Sequence, residues 1–215
     1  MGRLDLAPGV TYWPQFLGRT EQAALLGEVL ARVAEAPFYR PAMPGSGKPL
    51  SVEMTNFGPL GWITDQAKGY RYEPFHPVTR APWPDIPGLL LALWSDATGY
   101  PAPPEACLVN LYRADTRMGL HRDQDEEPKD ASVLSVSLGD TALFRFGGLT
   151  RRDPTRTLKL TSGDVLMFGG PARLMYHGVD RIQAGSSGLI PGGGRINLTL
   201  RRVTTPQRES GRLGG

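Results

Sequence analysis

Two stretches of the chain carry apolar residues at helical spacing. In the segment TEQAALLGEVLARVAEA an apolar stripe recurs every three or four positions, with Thr20 as the predicted N-cap and Pro37 ending the pattern. A second stripe, in PGLLLALWSDATG, begins after Pro87 and is closed by Gly99. The pattern predicts two amphipathic helices, each covering a face of a sheet.

From residue 106 onward the apolar period changes from helical to alternating. Short runs of β-branched and aromatic residues are bounded by Gly, Asp or Pro: ACLVNLYR, SVLSVSLG, TALFRFGG, RTLKLTSG, DVLMFGG, RLMYHGV and RINLTLRRV. So many short strands in succession predict a sandwich or jelly roll, and a fold class that is mainly β (α+β). Residues 38–85 are aromatic but rich in turns, and they predict hairpins or a lid.

The composition narrows the class of protein without naming a function. The chain has 215 residues and 40% apolar content, which suits one soluble domain, and no apolar run approaches the length of a membrane span. The single cysteine, Cys107, lies in an apolar run, which predicts a buried residue. Without a second cysteine the chain cannot form an internal disulfide, a thiolate zinc site or an iron–sulfur cluster. A reducing cytoplasm is the expected compartment. The net charge of +3 permits a polyanionic partner without establishing one.

The segment MGLHRDQDE contains the first candidate chemistry. In an extended chain His121 and Asp123 leave the same face, although such a pair is common by chance and a hydrogen-bonded histidine in a turn is the ordinary alternative. His177 in LMYHGV is the candidate third ligand, although a lone histidine in an apolar strand is more often a core residue. Two histidines and one carboxylate form the facial triad of non-haem Fe(II) oxygenases. Zinc hydrolases use similar sets, so the triad alone leaves oxidation and hydrolysis open.

The polar faces of two predicted strands favour oxidation. In RINLTLRR, Arg195, Asn197 and Arg201 share the face opposite the apolar positions, and in CLVNLYR, Asn110 and Tyr112 share a face. If these faces line the mouth of a roll, the arginines can clamp a carboxylate in bidentate fashion. This pattern suggests a dicarboxylate co-substrate held beside the metal.

Seven ordered segments resemble the AlkB family of 2-oxoglutarate- and Fe(II)-dependent dioxygenases. They are SVEMTNFGPLGW, GYPAPPEACLVNLY, LHRDQDE, SVSLGDTALFRFGGLTRRDP, GDVLMFGG, RLMYHGV and RINLTLR. The resemblance implies a double-stranded β-helix (jelly-roll) core with N-terminal helices and a nucleotide-recognition lid. It implies that His121, Asp123 and His177 bind iron and are the catalytic residues. It also implies a co-substrate site in which Arg195 pairs with the far carboxylate of 2-oxoglutarate, Tyr112 assists, and the chelating end meets Asn110, Asn197 and Arg201.

The resemblance implies oxidative demethylation. Fe(II), dioxygen and 2-oxoglutarate would repair N-alkylated bases such as 1-methyladenine and 3-methylcytosine in DNA, with RNA as a second candidate. The products would be formaldehyde, succinate and carbon dioxide. Two alternatives stay open: an enzyme of the same family acting on another kind of substrate, and a catalytically silent nucleic-acid-binding module.

A methyl group on a pairing nitrogen is hidden inside a duplex, so the enzyme must flip the base out or take a single strand. The residues expected at the substrate are Met54, Thr55, Trp62, Tyr70, Tyr72, Asp125, Glu126 and Arg152. Trp62 is predicted either to stack on the base or to belong to the core, and the tyrosines to stack or to meet phosphate. Asp125 is expected to accept from an exocyclic amino group, and Glu126 either to support it or to lie in a solvated turn.

The predicted organisation is one dioxygenase domain over residues 1–202. Within it, the lid spans about residues 45–85 and the jelly-roll core residues 106–202, and residues 203–215 form a flexible tail. The glycine-rich segment AGSSGLIPGGG before the last strand is also expected to be flexible and to affect co-substrate access. The protein is expected to be a monomer without a membrane partner.

Overall fold

The computed structural model describes residues 2–113 and 115–207, and within them it contains strands, two α-helices and one short 3-10 helix at Gly170–Ala172. The helices are α1 (Arg19–Glu35) and α2 (Gly88–Thr98). The strands are β1 (Leu4–Ala7), β2 (Val10–Trp13), β3 (Glu53–Phe57), β4 (Gly61–Asp65), β5 (Gly69–Glu73), β6 (Ala106–Tyr112), β7 (Met118–His121), β8 (Val133–Gly139), β9 (Thr141–Phe146), β10 (Arg156–Leu160), β11 (Val165–Phe168), β12 (His177–Gln183) and β13 (Arg195–Arg201).

Two antiparallel sheets face each other and form a jelly roll. The larger sheet has seven strands in the order β1-β2-β11-β8-β13-β6-β3, and the smaller has four in the order β10-β9-β12-β7. An apolar cluster fills the space between them, with Leu108 and Val133 from the large sheet and Phe144 and Val179 from the small one. The structure therefore confirms the predicted mainly β fold with a jelly-roll core.

Apolar and polar side chains alternate along strand β13, so its apolar side chains face the helices and its polar side chains face the inside of the roll. Ile196, Leu198 and Leu200 face outward and pack with Val29 of α1 and Trp94 of α2 in a second apolar cluster. Both helices thus cover the outer face of the large sheet, as the apolar stripes predict. Because successive side chains on a strand point to opposite faces, the polar residues of β13 turn toward the inside of the roll.

The helix ends follow the predicted signals with one exception. Helix α1 begins at Arg19 rather than after Thr20, and its N-cap is Gly18. The predicted cap was wrong because the Glu21 carboxylate accepts the backbone N–H of Gly18 at 2.7 Å, which sets the start of the helix two residues earlier. The end of α2 is as predicted, since Gly99 takes a left-handed conformation with φ of 59°.

The segments before residue 106 contain strands that the apolar pattern did not resolve. Strands β1 and β2 extend the large sheet through the pairing of β2 with β11. Strand β3 lies within the predicted lid range, yet it pairs with β6 at the other edge of that sheet. Only β4 and β5 stand apart as a two-stranded hairpin, which we call the lid hairpin. It rests on a small cluster of Ala36, Ile63 and Trp83, against which Tyr39 packs.

The strands after residue 106 and the cysteine lie where the sequence predicts them. All seven predicted strands after residue 106 are present, but the run RLMYHGV becomes extended only at His177, where β12 begins. Cys107 is buried, as its apolar surroundings predict. Of the predicted tail, residues 208–215 lie outside the described residues. Neither helix within the described ranges is long and apolar enough to cross a bilayer.

Candidate metal centre and substrate cavity

Strand pairing brings the two histidines of the predicted triad together. His121 ends β7, His177 begins β12, and the two are opposite each other in the antiparallel register. Their ring centroids are 4.5 Å apart. Asp123 follows the end of β7 by two residues, and its Oδ1 lies 4.0 Å from Nε2 of His121. One ligand atom from each residue lies within 4.8 Å of the others, so the structure assembles the triad that the sequence predicts.

Backbone carbonyls orient both imidazoles toward a metal. Nδ1 of His121 lies 3.0 Å from the Gly119 carbonyl, and Nδ1 of His177 lies 3.1 Å from the Met175 carbonyl. With Nδ1–H donating to these carbonyls, the lone pair of each Nε2 is left for a cation. This arrangement fits Fe(II), which imidazole and carboxylate ligands suit.

The electrostatics of the centre favour the metal-binding forms. Burial alone would raise the pKa of Asp123, but the positive charge of Arg201 and the nearby histidines hold it well below its usual range. Burial, with a contribution from His121, lowers the pKa of His177 to about 4. At neutral pH the triad therefore presents a carboxylate and a neutral imidazole, the forms that bind metal.

Asp123 belongs to a buried network of four charged side chains. The Arg201 guanidinium bonds both carboxylate oxygens of Asp123, with Nη2–Oδ1 of 2.9 Å and Nε–Oδ2 of 3.2 Å. Arg201 Nε also lies 3.5 Å from Glu126 Oε1, and Arg173 Nη2 lies 3.0 Å from Glu126 Oε2. Arg173 Nη1 donates to the carbonyl of Asp123 at 2.7 Å, so the same network holds both the side chain and the backbone of this ligand.

Arg195 has the properties expected of a carboxylate-binding residue. It is fully buried, and its Nη2 donates to Ser137 Oγ at 2.9 Å and to Asn197 Oδ1 at 2.7 Å. Its Nε and Nη1 have no partner among the described residues. Burial lowers the pKa of Arg195 to about 10, because no carboxylate bonds the guanidinium. An uncompensated buried guanidinium is costly, so these free N–H groups fit the distal carboxylate of a dicarboxylate ligand.

The other predicted co-substrate residues line the cavity at the triad, whereas Arg195 itself is fully buried and is not among the described residues that line it. The Tyr112 ring lies 5.5 Å from the Arg195 guanidinium, and the Asn110 carbonyl oxygen is buried without a partner among the described residues. Asn110, Tyr112, Asn197 and Arg201 all line one cavity together with the metal triad. The cavity has a volume of about 380 Å³, within the range of small-molecule sites.

The lid hairpin forms the outer wall of this cavity. Trp62 and Tyr70 both line it, and their rings stack with centroids 5.4 Å apart and planes 21° apart. The Trp62 indole N–H donates to Asp125 Oδ2 at 2.9 Å. Tyr70 is 55% exposed. Trp62 is thus partly buried, as a core residue would be, and also lines the cavity, as a base-stacking residue would. Asp125 lies at the cavity with its Oδ2 bonded to Trp62.

Two predicted substrate residues bond to other side chains of the protein, although Glu126 also lines the cavity. Glu126 is buried and paired with arginines, which excludes the alternative of a solvated acidic turn. The Tyr72 hydroxyl donates to Glu126 Oε1 at 2.5 Å, and Tyr72 is absent from the described residues that line the cavity. Burial raises the pKa of Tyr72 well above its usual value, so the hydroxyl keeps the proton that it donates.

Two further predictions are displaced by strand and loop geometry. Met54 lines the cavity, but its neighbour Thr55 points to the opposite face of β3, where its hydroxyl donates to the Ala36 carbonyl at 2.8 Å. Arg151 and Arg152 are both exposed, but only Arg151 is among the described residues that line the cavity. The sequence does not distinguish these adjacent arginines, because both lie in an irregular loop where no strand alternation fixes the direction of a side chain.

Other cavity residues were not predicted from the sequence. Arg122 lies with its guanidinium 5.7 Å from the ring of Tyr176, and both line the cavity. Their segments, LHRDQDE and RLMYHGV, were recognised for the metal ligands they contain. The sequence could have indicated both residues, because Arg122 follows His121 and Tyr176 precedes His177 in the chain.

The jelly roll, the His–Asp–His face and the buried guanidinium of Arg195 on β13 fit a non-haem iron oxygenase that takes a dicarboxylate co-substrate. Comparison with known proteins agrees with this class. Residues 9–201 match the sequence model of the 2OG-Fe(II) oxygenase superfamily, in which 2OG denotes 2-oxoglutarate, also called alpha-ketoglutarate.

The relatives identify the family within this class. The chain is 57% identical to an alpha-ketoglutarate-dependent dioxygenase AlkB homolog of Caulobacter vibrioides, over 94% of this chain and 91% of the relative. It is 42% identical to the alpha-ketoglutarate-dependent dioxygenase AlkB of Escherichia coli, over 83% of each. The solved structure of OsALKBH1 superposes with a TM-score of 0.81 at 30% identity, covering 94% of this chain and all of that one. The chain belongs to the AlkB family of 2-oxoglutarate- and Fe(II)-dependent dioxygenases.

Proposed function

We propose that this dioxygenase removes methyl groups from alkylated base nitrogens in nucleic acid, with DNA as the main substrate and RNA as a second one. The observation that carries the proposal is the shape of the cavity, which runs from the metal triad to the aromatic wall of the lid hairpin. The ring of Trp62 and the carboxylate of Asp125 meet at this wall. A flat ring and a fixed acceptor are what an extruded base requires.

The charge of the wall suits a damaged base. Methylation at N1 of adenine or N3 of cytosine gives a cationic ring, and the Asp125 carboxylate favours a positive charge beside it. One oxygen of Asp125 accepts from Trp62, which leaves the other available to an exocyclic amino group. The Arg151 guanidinium at the same cavity is suited to a phosphate oxygen.

The bound iron would supply the oxidation, and the protein would bind and orient the reactants. A carbon–hydrogen bond of a methyl group is not acidic, so bound iron with dioxygen and 2-oxoglutarate supplies the oxidation that side chains lack. The residues of this chain bind and orient the reactants. His121, Asp123 and His177 hold the metal, and the free N–H groups of Arg195 take the distal carboxylate of the co-substrate. Leu108, Met118 and Phe144 line the cavity with apolar surface, which limits the access of water.

The proposal is tested by formaldehyde release from oligonucleotides that carry 1-methyladenine or 3-methylcytosine. We expect release that requires Fe(II) and 2-oxoglutarate, and we expect Asp123→Ala to abolish it. Asp125→Asn keeps the shape of the wall but removes its charge, so we expect a higher KM for the cationic bases. Parallel DNA and RNA oligonucleotides, single- and double-stranded, rank the substrates.

Two outcomes would overturn the proposal. Turnover of 2-oxoglutarate that methylated oligonucleotides do not stimulate would favour a member of the family that acts on another substrate. A protein that binds oligonucleotide but neither Fe(II) nor 2-oxoglutarate would be a silent binding module. Full formaldehyde release by Asp123→Ala would refute the assigned metal ligands.

A further inference from the structure

The glycine-rich segment 184–194, which connects β12 to β13, is tied to a buried aspartate. Asp140 is 2% exposed and begins the tight turn between β8 and β9. Its Oδ1 accepts the backbone N–H of Ser187 at 2.9 Å, and its Oδ2 accepts those of Gly194 at 3.0 Å and Gly185 at 3.2 Å. The backbone N–H of Asp140 in turn donates to the Gly194 carbonyl at 2.8 Å. These bonds hold both ends of a segment whose composition predicts flexibility.

The partners of Asp140 show what the carboxylate does. Within the described ranges, none of the ion pairs involves Asp140, and its oxygens meet backbone N–H groups and the Ser186 hydroxyl. Hydrogen bonds from N–H groups to a carboxylate are about twice as strong as neutral ones. A buried carboxylate used in this way fixes the course of the backbone.

The backbone that Asp140 fixes leads directly into the co-substrate arginine. Gly194 precedes Arg195, and Arg195 lies opposite Gly139 on β8 and Tyr112 on β6. A Cβ atom at Gly139 would lie 2.4 Å from the Gly194 carbonyl oxygen, and one at Gly194 would lie 2.7 Å from the Tyr112 carbonyl oxygen. Gly194 also has φ of +104°, which side chains disfavour. The backbone just before Arg195 is therefore closely packed against the neighbouring strands β8 and β6.

We propose that Asp140 is a positioning residue for the co-substrate. By holding the backbone of Gly194, it places the Arg195 guanidinium so that the free Nε and Nη1 face the distal carboxylate of 2-oxoglutarate. Asp140 itself does not touch the co-substrate. The inference rests on the co-substrate role of Arg195 stated above, and it holds whichever substrate the enzyme demethylates.

The test compares two ligands in Asp140→Asn. Asparagine keeps the size of the side chain, but its NH2 group cannot accept from a backbone N–H. We would measure binding of 2-oxoglutarate and of 2-oxobutyrate, which lacks the distal carboxylate, to the Mn(II)-loaded protein by calorimetry. We expect the Kd for 2-oxoglutarate to rise on the order of tenfold and the Kd for 2-oxobutyrate to stay within about twofold. The variant would thus lose discrimination between the two ligands.

Two further variants separate this role from other causes. Glu105→Gln removes a carboxylate that accepts the N–H groups of Val203 and Thr204, just beyond the other end of β13. We expect it to cost similar stability and to leave 2-oxoglutarate binding unchanged. Arg195→Met should abolish discrimination altogether. If it does not, the co-substrate role of Arg195 fails, and the positioning role of Asp140 fails with it.

The proposal for Asp140 alone is overturned in two ways. Wild-type affinity for 2-oxoglutarate in Asp140→Asn would show that the anchor is not needed, and equal weakening of both ligands would show a general structural defect. Hydrogen exchange in the wild-type protein covers the case in which the variant does not fold. We expect the Ser187 and Gly194 amides to be protected before 2-oxoglutarate is added, whereas protection that appears only with the ligand would refute the anchored segment.

Discussion

At the scale of single residues, the site depends on a few buried charges that are paired with unequal completeness. Asp123, Glu126, Arg173 and Arg201 satisfy one another, whereas Arg195 keeps two N–H groups without a partner among the described residues. A fully satisfied buried network is rigid, whereas a buried donor without a partner is costly. Asp123 therefore belongs to the rigid part of the site, and the N–H groups of Arg195 without a protein partner are the ones we propose for the co-substrate.

The first residue-scale prediction concerns Tyr72→Phe. The change removes the hydroxyl that donates to buried Glu126. Because a hydrogen bond to a buried charged group contributes about 1.5–3 kcal/mol, we expect the free energy of unfolding to fall by about 2 kcal/mol, measured by urea denaturation. The matched control is Tyr100→Phe, whose hydroxyl meets Asp130 at 3.4 Å on the surface, with an expected loss of about 0.5 kcal/mol or less. Equal effects in both variants would contradict the role of Tyr72.

The second residue-scale prediction compares two adjacent arginines. Both arginines are exposed, and of the two only Arg151 is among the described residues that line the cavity. We expect Arg151→Ala to weaken binding of a methylated oligonucleotide about fivefold to tenfold and to lower the salt dependence of binding by roughly one ion. Arg152→Ala should change neither quantity by more than about twofold. Fluorescence anisotropy at several salt concentrations measures both, and a larger effect at Arg152 would restore the original prediction from sequence.

At the scale of elements, the metal centre is a product of strand pairing. The sequence predicts the triad because His121 and Asp123 share a face and His177 falls in another strand. It does not predict that the two histidines are direct partners, because β7 and β12 are far apart in the chain and no hairpin turn fixes their register. The incorrect prediction for Thr55 has the same cause, because the direction in which its side chain points depends on which strand β3 pairs with.

An element-scale prediction tests this pairing at Gly178. A Cβ atom there would lie 2.6 Å from the Met118 carbonyl oxygen and 3.0 Å from backbone atoms of Gly119, so alanine must push β7 away from β12. We expect Gly178→Ala to weaken Mn(II) binding at least about tenfold, because His121 moves away from His177. Calorimetry or the electron paramagnetic resonance of free Mn(II) measures the change. The control, Gly188→Ala, meets no atom within 4 Å and should bind as the wild type does. Unchanged affinity in Gly178→Ala would show that the strands tolerate separation.

At the scale of the whole molecule, the apolar pattern predicts most of the architecture. The helical stripes and the alternating runs indicate two helices over a β roll, and the clusters on the two faces of β13 confirm that arrangement. Strands β1 and β2 escape prediction because each is only four residues long and is interrupted by a polar residue, Asp5 or Thr11, whereas the equally short β11 is a continuous apolar run. The lid hairpin was expected only as part of a broader region, since β3 in the same region joins the large sheet.

Two apolar clusters hold this architecture, and both are built without the metal ligands. The Asp123 carboxylate also has a protein partner, the Arg201 guanidinium. We therefore expect metal removal to leave the fold intact, in contrast to small domains that fold only around a metal. Chelation with EDTA should leave the far- and near-ultraviolet circular dichroism unchanged.

Bound metal should raise the thermal stability of the folded protein. If metal binds only the folded state, Mn(II) at a hundredfold excess over its Kd adds about 2.7 kcal/mol, or roughly 5–10 °C in Tm for a chain of this size. Asp123→Ala should lose this shift, since it removes a ligand. Gly188→Ala should retain it, because that position lies away from the triad and meets no neighbour. A loss of near-ultraviolet signal on chelation would instead show that the iron holds β7 and β12 together, and the site would then be a structural element of the roll as well as its reactive centre.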